Sequence, residues 1–390
     1  MANTLTNLIP DVYAALDVVS RELIGIVPSV ARNSSTDRLA LNQTLRAFQT
    51  PSNTAGADIT PAMSLPSASD QTVVNKTVTI SKSRAFPFSW SGEEQYAVNT
   101  GPGYLSIRQD QIAQAFRAAA NEIELFAAGL MYKGASRAYG TAGTTPFSTN
   151  TGEAAQLKKV LDDNGAPVSG RSMIIDTTTG AQLRTLTQLT KANEAGTSMT
   201  LRDGEILNLS GFSIKESAQI QPVAIGAMAS ATSTNAAFTV GQTAIPLATA
   251  GTGVVSAGDV ITFANDTNKY VVASVSFAGA NPASGDSITL AAPGLRKAQS
   301  AATRAITVVG SSTLTSNIAF SQNAFILATR LPVLPPEGDI ALHREVVTDP
   351  RSGLSFEMAV YPGYRMNRYE IAINYGGAVI KPEHISTLVY

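Results

Sequence analysis

The chain has no cysteine, two histidines and one tryptophan among its 390 residues. Without thiols there are no disulfides and no thiolate metal sites, so a reducing compartment is allowed but not required. Charge is scarce as well. Asp, Glu, Lys and Arg make up 15% of the residues, against about a quarter in an ordinary globular protein. The 28 basic and 29 acidic side chains nearly cancel, leaving a formal net charge of −1. A dedicated nucleic-acid binder would carry a clustered basic surplus, which argues against that class while leaving room for weak contact. No uncharged apolar run approaches the roughly 20 residues of a membrane helix. The first basic residue is Arg21, so no positive stretch precedes the early apolar residues and no secretory signal is expected. The expectation is a product made soluble in the cytoplasm, long enough for two or three domains and a sizeable core.

What is present is a strong helical pattern between Ser106 and Lys133. Ser106 and Gln109 form a Ser-x-x-Gln capping box. Ile112, Phe116, Ala119, Ile123, Phe126 and Leu130 then recur at alternating spacings of four and three, the period of one helical face. Asp110, Gln114, Arg117, Asn121 and Glu124 fall on the other, wet face, and Gly134 supplies a stop. Such a helix is roughly 40 Å long, a beam to which other elements attach.

An N-terminal amphipathic helix is expected from Pro10, with Val12, Leu16, Val19, Leu23 and Ile26 as its stripe and Pro28 as its end. It serves either its own domain or, as an arm, a neighbouring subunit. Asn33 to Asp70 is rich in Ser, Thr, Asn, Ala and Pro with little periodicity, an irregular segment. Alternation returns at Val74, Val78 and Ile80 and again at Phe86, Phe88 and Trp90. With Lys82-Ser83-Arg84 between them, these read as a long hairpin. Pro87 marks the second strand as an edge strand, an aggregation hazard unless another chain covers it.

After the long helix come a Gly/Thr loop (Tyr139 to Thr151) and a short helix (Gly152 to Asp163) ended by Asn164-Gly165. Ser172 to Asp176 reads as a buried strand, and Thr177 to Thr179 as caps for a helix carrying Leu183, Leu186 and Leu189. Gly211 to Ile214 reads as another strand, giving a mixed α/β unit. From about Gln221 to Thr315 only Asp259, Asp266, Lys269, Asp286, Arg296, Lys297 and Arg304 are charged. Short strands are expected there at Ala236–Val240, Val260–Phe263, Tyr270–Val275, Ser287–Leu290 and Ala305–Val309, with turn residues between them. That pattern describes a small sandwich or barrel inserted into the α/β unit. The C-terminal part reads as strands: Gly338 to Val347 and Leu354 to Tyr361 around an Asp349–Gly353 turn, then Glu370 to Ile373 and Gly377 to Ile380.

Several stretches carry a family resemblance. They are Ser172-Met173-Ile174-Ile175-Asp176 leading to Ala181-Gln182-Leu183-Arg184, Gly211-Phe212-Ser213-Ile214, and Asn323 to Thr329 before Leu331-Pro332-Val333. Ser352-Gly353-Leu354-Ser355-Phe356 and Tyr375 to Glu383 complete the set. In this order they resemble a major capsid protein of tailed bacteriophages with the Hong Kong-type capsid fold, closest to short-tailed-phage coat proteins with an inserted β-barrel. The resemblance implies an α+β fold with an N-terminal arm (1–49), an extended β-hairpin loop (50–104) and a spine helix with peripheral domain (105–164, completed by 338–366). It further implies an axial domain (165–220, completed by 316–337 and 367–390) and an inserted β-domain (221–315). The implied function is self-assembly into hexamers and pentamers of an icosahedral head enclosing double-stranded DNA. Portal, scaffolding and decoration proteins are the implied partners, assembly takes place in the host cytoplasm, and no membrane is involved.

No catalytic, cofactor or metal site is expected. His343 and His384 lack a neighbouring carboxylate cluster at ligand spacing. Asp162-Asp163 and Glu93-Glu94 read as solvated pairs. Gly101-Pro102-Gly103 and Gly140–Gly143 lack the Lys-Ser/Thr of a phosphate loop, and there is no Gly-x-Ser-x-Gly elbow. Arg21, Arg32, Arg38 and Arg46, or Arg108, Arg117 and Lys133, are candidates for weak, salt-sensitive DNA contact if they face a lumen. The alternatives are a cellular compartment shell of the same fold, a β-rich adhesive surface protein, and a hydrolase with a β-insertion.

Overall fold

The computed structural model describes residues 24–49, 74–98, 104–186, 208–249, 251–277, 282–348 and 354–390. The stripe predicted from Pro10 falls mostly outside them, as does the segment 50–73. The described fold is α+β and strand-rich.

The largest core forms around one helix, α2, Tyr104–Lys133. It begins ahead of the expected capping box, so Ser106 lies inside its first turn. Ile112, Phe116, Ala119 and Ile123 are buried as the periodicity requires, but so are Ala120, Ala127, Ala128 and Met131. The dry arc is wider than the stripe because two sheets cover the helix. Glu124, assigned to the wet face, is fully buried.

One covering sheet consists of β1 (Ala31–Arg38), β18 (Phe325–Leu331), β21 (Met366–Val379), β20 (Ser355–Gly363) and β19 (His343–Thr348), in that order, with β4 (Lys82–Ser91) paired to β21. β4 and β20 both pair with Met366–Ala372, so they flank β21 on opposite edges. Phe356 meets Phe116 edge-on at 5.2 Å, Tyr375 meets Phe126 at 5.1 Å, and the Tyr375 hydroxyl donates to Glu122 at 2.8 Å.

Three expectations are corrected in this sheet. The described part of the irregular segment forms β1 and β2 (Thr44–Gln49). β1 pairs in parallel with β18 through backbone bonds that need no apolar alternation. The expected hairpin does not exist either. β3 (Val74–Thr79) pairs with β2 as a separate ribbon, and Lys82-Ser83-Arg84 are strand residues opposite Tyr375, Asn374 and Ile373. The chain changes sheets between two residues: Ile80 N–H donates to Gln43 of the ribbon, and Ser81 N–H to Tyr375 of the sheet. Finally, the two short strands expected near Gly376 are one 14-residue strand, and β19 starts only at His343, after a Pro335–Gly338 turn. β4 pairs with β21 alone among the described residues, the edge position that Pro87 indicates.

The second covering sheet runs β5 (Arg137–Tyr139), β22 (Ile385–Val389), β17 (Ser316–Ser321), β6 (Arg171–Ile175), β8 (Phe212–Glu216), β7 (Asn208–Leu209). Ile174, Ile318, Phe320, Ile385 and Val389 face the long helix. Met173, Ile175, Ala319 and Leu388 face α3 (Gly152–Asp163) and α4 (Thr177–Arg184). α3 matches its expected span, and β22 was not anticipated. Leu183 and Leu186 are buried, while Leu189 lies outside the described residues.

The cap of α4 is Asp176, not a threonine: its carboxylate accepts from Thr178 N–H at 3.0 Å and Thr179 N–H at 3.3 Å. The Tyr390 hydroxyl donates to the same carboxylate at 2.7 Å. Burial pushes this carboxyl up, but the bonds from Thr179, Tyr390 and Thr178 outweigh it and hold its pKa below the ordinary value. A lowered carboxylate stabilises the fold above its unfolded pKa, and that contribution is lost as the pH falls through the folded value. Asp176→Ala is therefore expected to cost about 1–2 kcal/mol near pH 7 and less near pH 3. Urea titrations at the two pH values check this; an equal cost at both would refute it.

The low-charge segment is a closed six-stranded antiparallel barrel. Around it run β12 (Val260–Phe263), β15 (Ala305–Val308), β10 (Ala231–Ser233), β11 (Ala244–Thr249), β14 (Ser287–Leu290) and β13 (Lys269–Ser276), with β13 pairing back to β12. Closure leaves no edge within the barrel. It has its own core, including Ile245, Leu247, Phe263, Tyr270 and Ile306. The strand expected at Ala236–Val240 is only a bridge, Phe238 to Gln299, and β10 and β11 were not anticipated. A neck of β9 (Val223–Ala224) and β16 (Thr313–Leu314) carries the chain in and out.

Candidate functional site

The structure gathers none of the candidate polar residues into a reactive centre. His384 is buried, and that burial lowers its pKa against the opposing pull of Glu383. His343 lies 3.7 Å from Glu345 on β19. Among the described residues no group of three His, Asp or Glu could hold a metal. Asp162 pairs with Arg171 at 2.7 Å, and Asp163 lies between Arg137 at 3.4 Å and Arg296 at 3.6 Å. Both are structural ion pairs. Glu94 accepts from Ser91 N–H at 2.8 Å and returns its own N–H to the Ser91 hydroxyl. That reciprocal cap starts α1 (Gly92–Val98) and holds the exposed Glu94 carboxyl below its ordinary pKa. Gly140 packs against the Val389 backbone; Gly101–Gly103 lie outside the described residues.

The basic candidates scatter. Arg21 is outside the described residues. Arg32 and Arg46 are exposed and line one groove of about 400 Å³ between β1 and β2. Arg38 is bound to the Pro332 carbonyl and to buried Glu357. Arg108 is buried, Arg117 is exposed, and Lys133 sits 5.8 Å from the Tyr132 ring centre. The described ones sit on three different elements: β1, β2 and α2.

What the geometry does present is unsatisfied surface at the extremities. β1 and β19 end their sheet, and the β2–β3 ribbon stands as a two-stranded unit of its own. Large apolar side chains are exposed at separate places: Phe48 on the ribbon (79%), Tyr96 on α1 (81%), Tyr364 at the β20–β21 turn (90%), and Ile340 and Leu342 just before β19. Tyr364 and Arg365 line an open cleft of about 700 Å³ with Trp90, Glu93 and Met366. Exposed apolar residues are ordinary one by one; here several stand at the tips of elements.

Inside, buried charged groups fasten the parts together. Arg137 of β5 donates to the Val160 carbonyl at 3.2 Å and to Asn164 at 3.1 Å, and reaches Asn268 of the barrel at 3.4 Å. Burial lowers its pKa, against the attraction of Asp163. β13 pairs with β5 at the same place, Tyr270 opposite Arg137, so the barrel is joined to the second sheet by backbone and side chain together. Glu357 binds Arg38 and, at 3.2 Å, Arg344, which ties the end of β1 to β19 and β20. Glu124 makes the third fastening. Burial raises its pKa, against hydrogen bonds from Ile26, Val27, Gly25 and Ser217. Sequence patterning gave none of these residues a fastening role, placing Glu124 on the wet face and Arg38 among the candidates for DNA contact, because a buried charged side chain on a covered helix or strand has the same local signature as an exposed one.

Solved structures similar to this chain include phage capsids and capsid-like particles. The capsid of cyanophage P-SCSP1u shares 12% identity over 94% of this chain and 88% of that one, with a TM-score of 0.49. A structure from Mycobacterium phage Che8 shares 15% identity over 89% and 84%, with a TM-score of 0.46. A virus-like particle from Pyrococcus furiosus shares 10% over 98% and 100%, with a TM-score of 0.45. At this level the likeness assigns neither activity nor partner. No protein-family model and no curated protein matches the chain.

Proposed function

We propose that this chain is a major capsid protein, a structural subunit that closes into a shell with copies of itself. The observation that carries this reading is the distribution of open surface. Among its described residues one copy leaves open sheet edges at β1, β19 and β4, a two-stranded ribbon and exposed aromatic or aliphatic tips, instead of concentrating its polar groups in a pocket. Modest, separated contacts of this kind close into rings and shells when each is satisfied by a neighbour. The subunit division follows the Hong Kong-type arrangement. In this reading the spine helix and peripheral domain span 105–164 and 338–366, the axial domain 165–220, 316–337 and 367–390, and the inserted domain 221–315. Hexamers and pentamers, packaged double-stranded DNA, and portal and scaffolding partners complete the reading.

Two features of this chain fit that role. The barrel is closed and carries its own core, so it can project without exposing a strand edge. The β2–β3 ribbon pairs with no third strand among the described residues; Val78 and Ile80 seat one face of it on the sheet while Phe48 stays exposed, as on a segment that an adjacent copy covers. Electron microscopy of particles from cells expressing the full chain is the test. Closed shells of uniform diameter holding nuclease-protected DNA are expected when packaging partners are present. A stable monomer overturns the reading, and shells filled with protein cargo would assign the chain to a cellular compartment instead.

A further inference from the structure

The chain enters the described fold at a crowded point. Residues Gly25 to Ser29 form a single turn, with Ser29 N–H and Val30 N–H both donating to the Ile26 carbonyl and the Ser29 hydroxyl to the Gly25 carbonyl. The first N–H groups of such a turn have no partner within it. Here they share one: Glu124 Oε1 accepts from Gly25 at 2.8 Å and Ile26 at 2.7 Å, and Oε2 accepts from Val27 at 2.9 Å. Glu124 is 0% exposed, so these donors have no water to turn to. A third element closes the junction from the other side. Lys215 Nζ on β8 donates to the Ser29 hydroxyl at 2.8 Å, and Ser217 of the same segment bonds Glu124. The approach is tight: a Cβ on Gly25 would lie 2.8 Å from Ile174 of β6 and 3.1 Å from the Glu216 carbonyl. The nearby charges are accounted for. Glu216 pairs with Arg184, and Arg32 acts on Lys215.

We propose that Glu124 is a positioning residue that latches three parts of the fold: the entering chain at 25–29, the long helix, and the β6–β8 strands of the second sheet. Because one carboxyl serves three consecutive amides, the turn is held or released as a unit. A displacement of the helix against that sheet by more than hydrogen-bond reach breaks all three bonds together. The latch thereby links the position of the 25–29 turn to the angle between helix and sheet. It follows from these contacts alone and does not depend on the shell reading.

Native-state hydrogen exchange on the full chain tests it. In wild type, Gly25, Ile26 and Val27 should exchange with one common opening constant. Glu124→Gln keeps the shape but sets an amide nitrogen against at least one of the three N–H donors. The three amides should then exchange faster together by about ten- to a hundredfold, while the barrel amides of Val271 and Val272 stay unchanged. Lys215→Met, at a half-buried position, should speed exchange at Ser29 and Val30 selectively, and it stands as the test if the Gln variant does not fold. Unchanged exchange at 25–27 in Glu124→Gln overturns the latch. So does a uniform loss of protection across the whole chain, which would make Glu124 an ordinary core group, or, in Lys215→Met, no selective change at Ser29 and Val30.

Discussion

Phe116→Ala is expected to destabilise the chain by about 3–5 kcal/mol, the range for removing a fully buried aromatic ring. Phe116 is 0% exposed and lies mid-helix where both sheets approach α2. Its ring meets Phe356 edge-on at 5.2 Å, so truncation removes both the buried area and an aromatic pair. The walls cannot easily close over the gap. Phe356 and Met358 are fixed by strand pairing in β20, and Ile112 and Ala120 belong to the same helix. A site that cannot collapse falls at the upper end of that range. Guanidinium unfolding followed by circular dichroism gives the number; a loss below about 1 kcal/mol would mean that the helix is not the common core of the two sheets. The barrel has a separate core, so its own unfolding should shift much less.

The helix was legible because 3.6-residue periodicity survives wherever one face is dry. The same rule misplaced Glu124. A helix covered by one sheet has a wet face, but α2 is covered by two, and its second dry arc is made of alanines that carry little hydrophobic signal. Strand content was legible for a similar reason, yet pairing was not. Val74–Ile80 and Phe86–Trp90 alternate as any two strands of a hairpin would, and only the divergent bonds of Ile80 and Ser81 send them to different sheets. β1 was invisible: Ala31–Arg38 is polar and mostly exposed, and it is held by pairing with β18. In the inserted segment four of the five expected strands form, each bounded by turn residues. β10 is only three residues long and β11 contains Pro246, so neither reaches the length or composition a strand signal needs. The candidate surface was the least legible part, since edges and exposed tips exist only once the sheets are assembled.

Gly376→Ala is expected to displace the β2–β3 ribbon and to cost about 1–3 kcal/mol or more, the range for overpacking a close-packed site. By propensity alone the sign would be opposite, because replacing a strand glycine with alanine gains about 0.5–1 kcal/mol. Geometry decides. A Cβ on Gly376 would lie 2.8 Å from the Thr79 carbonyl carbon and 2.9 Å from Ile80 Cα, and closer still to the Thr79 oxygen. All three are backbone atoms, so no side chain can swing aside. Gly376 is also held from its other neighbour, paired with Ala328 of β18. The yielding element is therefore the end of β3, which Val78 and Ile80 press onto this face against Ala328 and Ile380. Gly129→Ala is the matched control. Nothing lies within 4 Å of the added carbon, so that change should leave stability level or slightly raised. If the ribbon is covered by a neighbouring copy, Gly376→Ala should also prevent shell closure while leaving a folded subunit, seen as a small species in sedimentation. Shells of normal diameter and unaltered melting in Gly376→Ala would show that the ribbon's seat on β21 is not what sets its course.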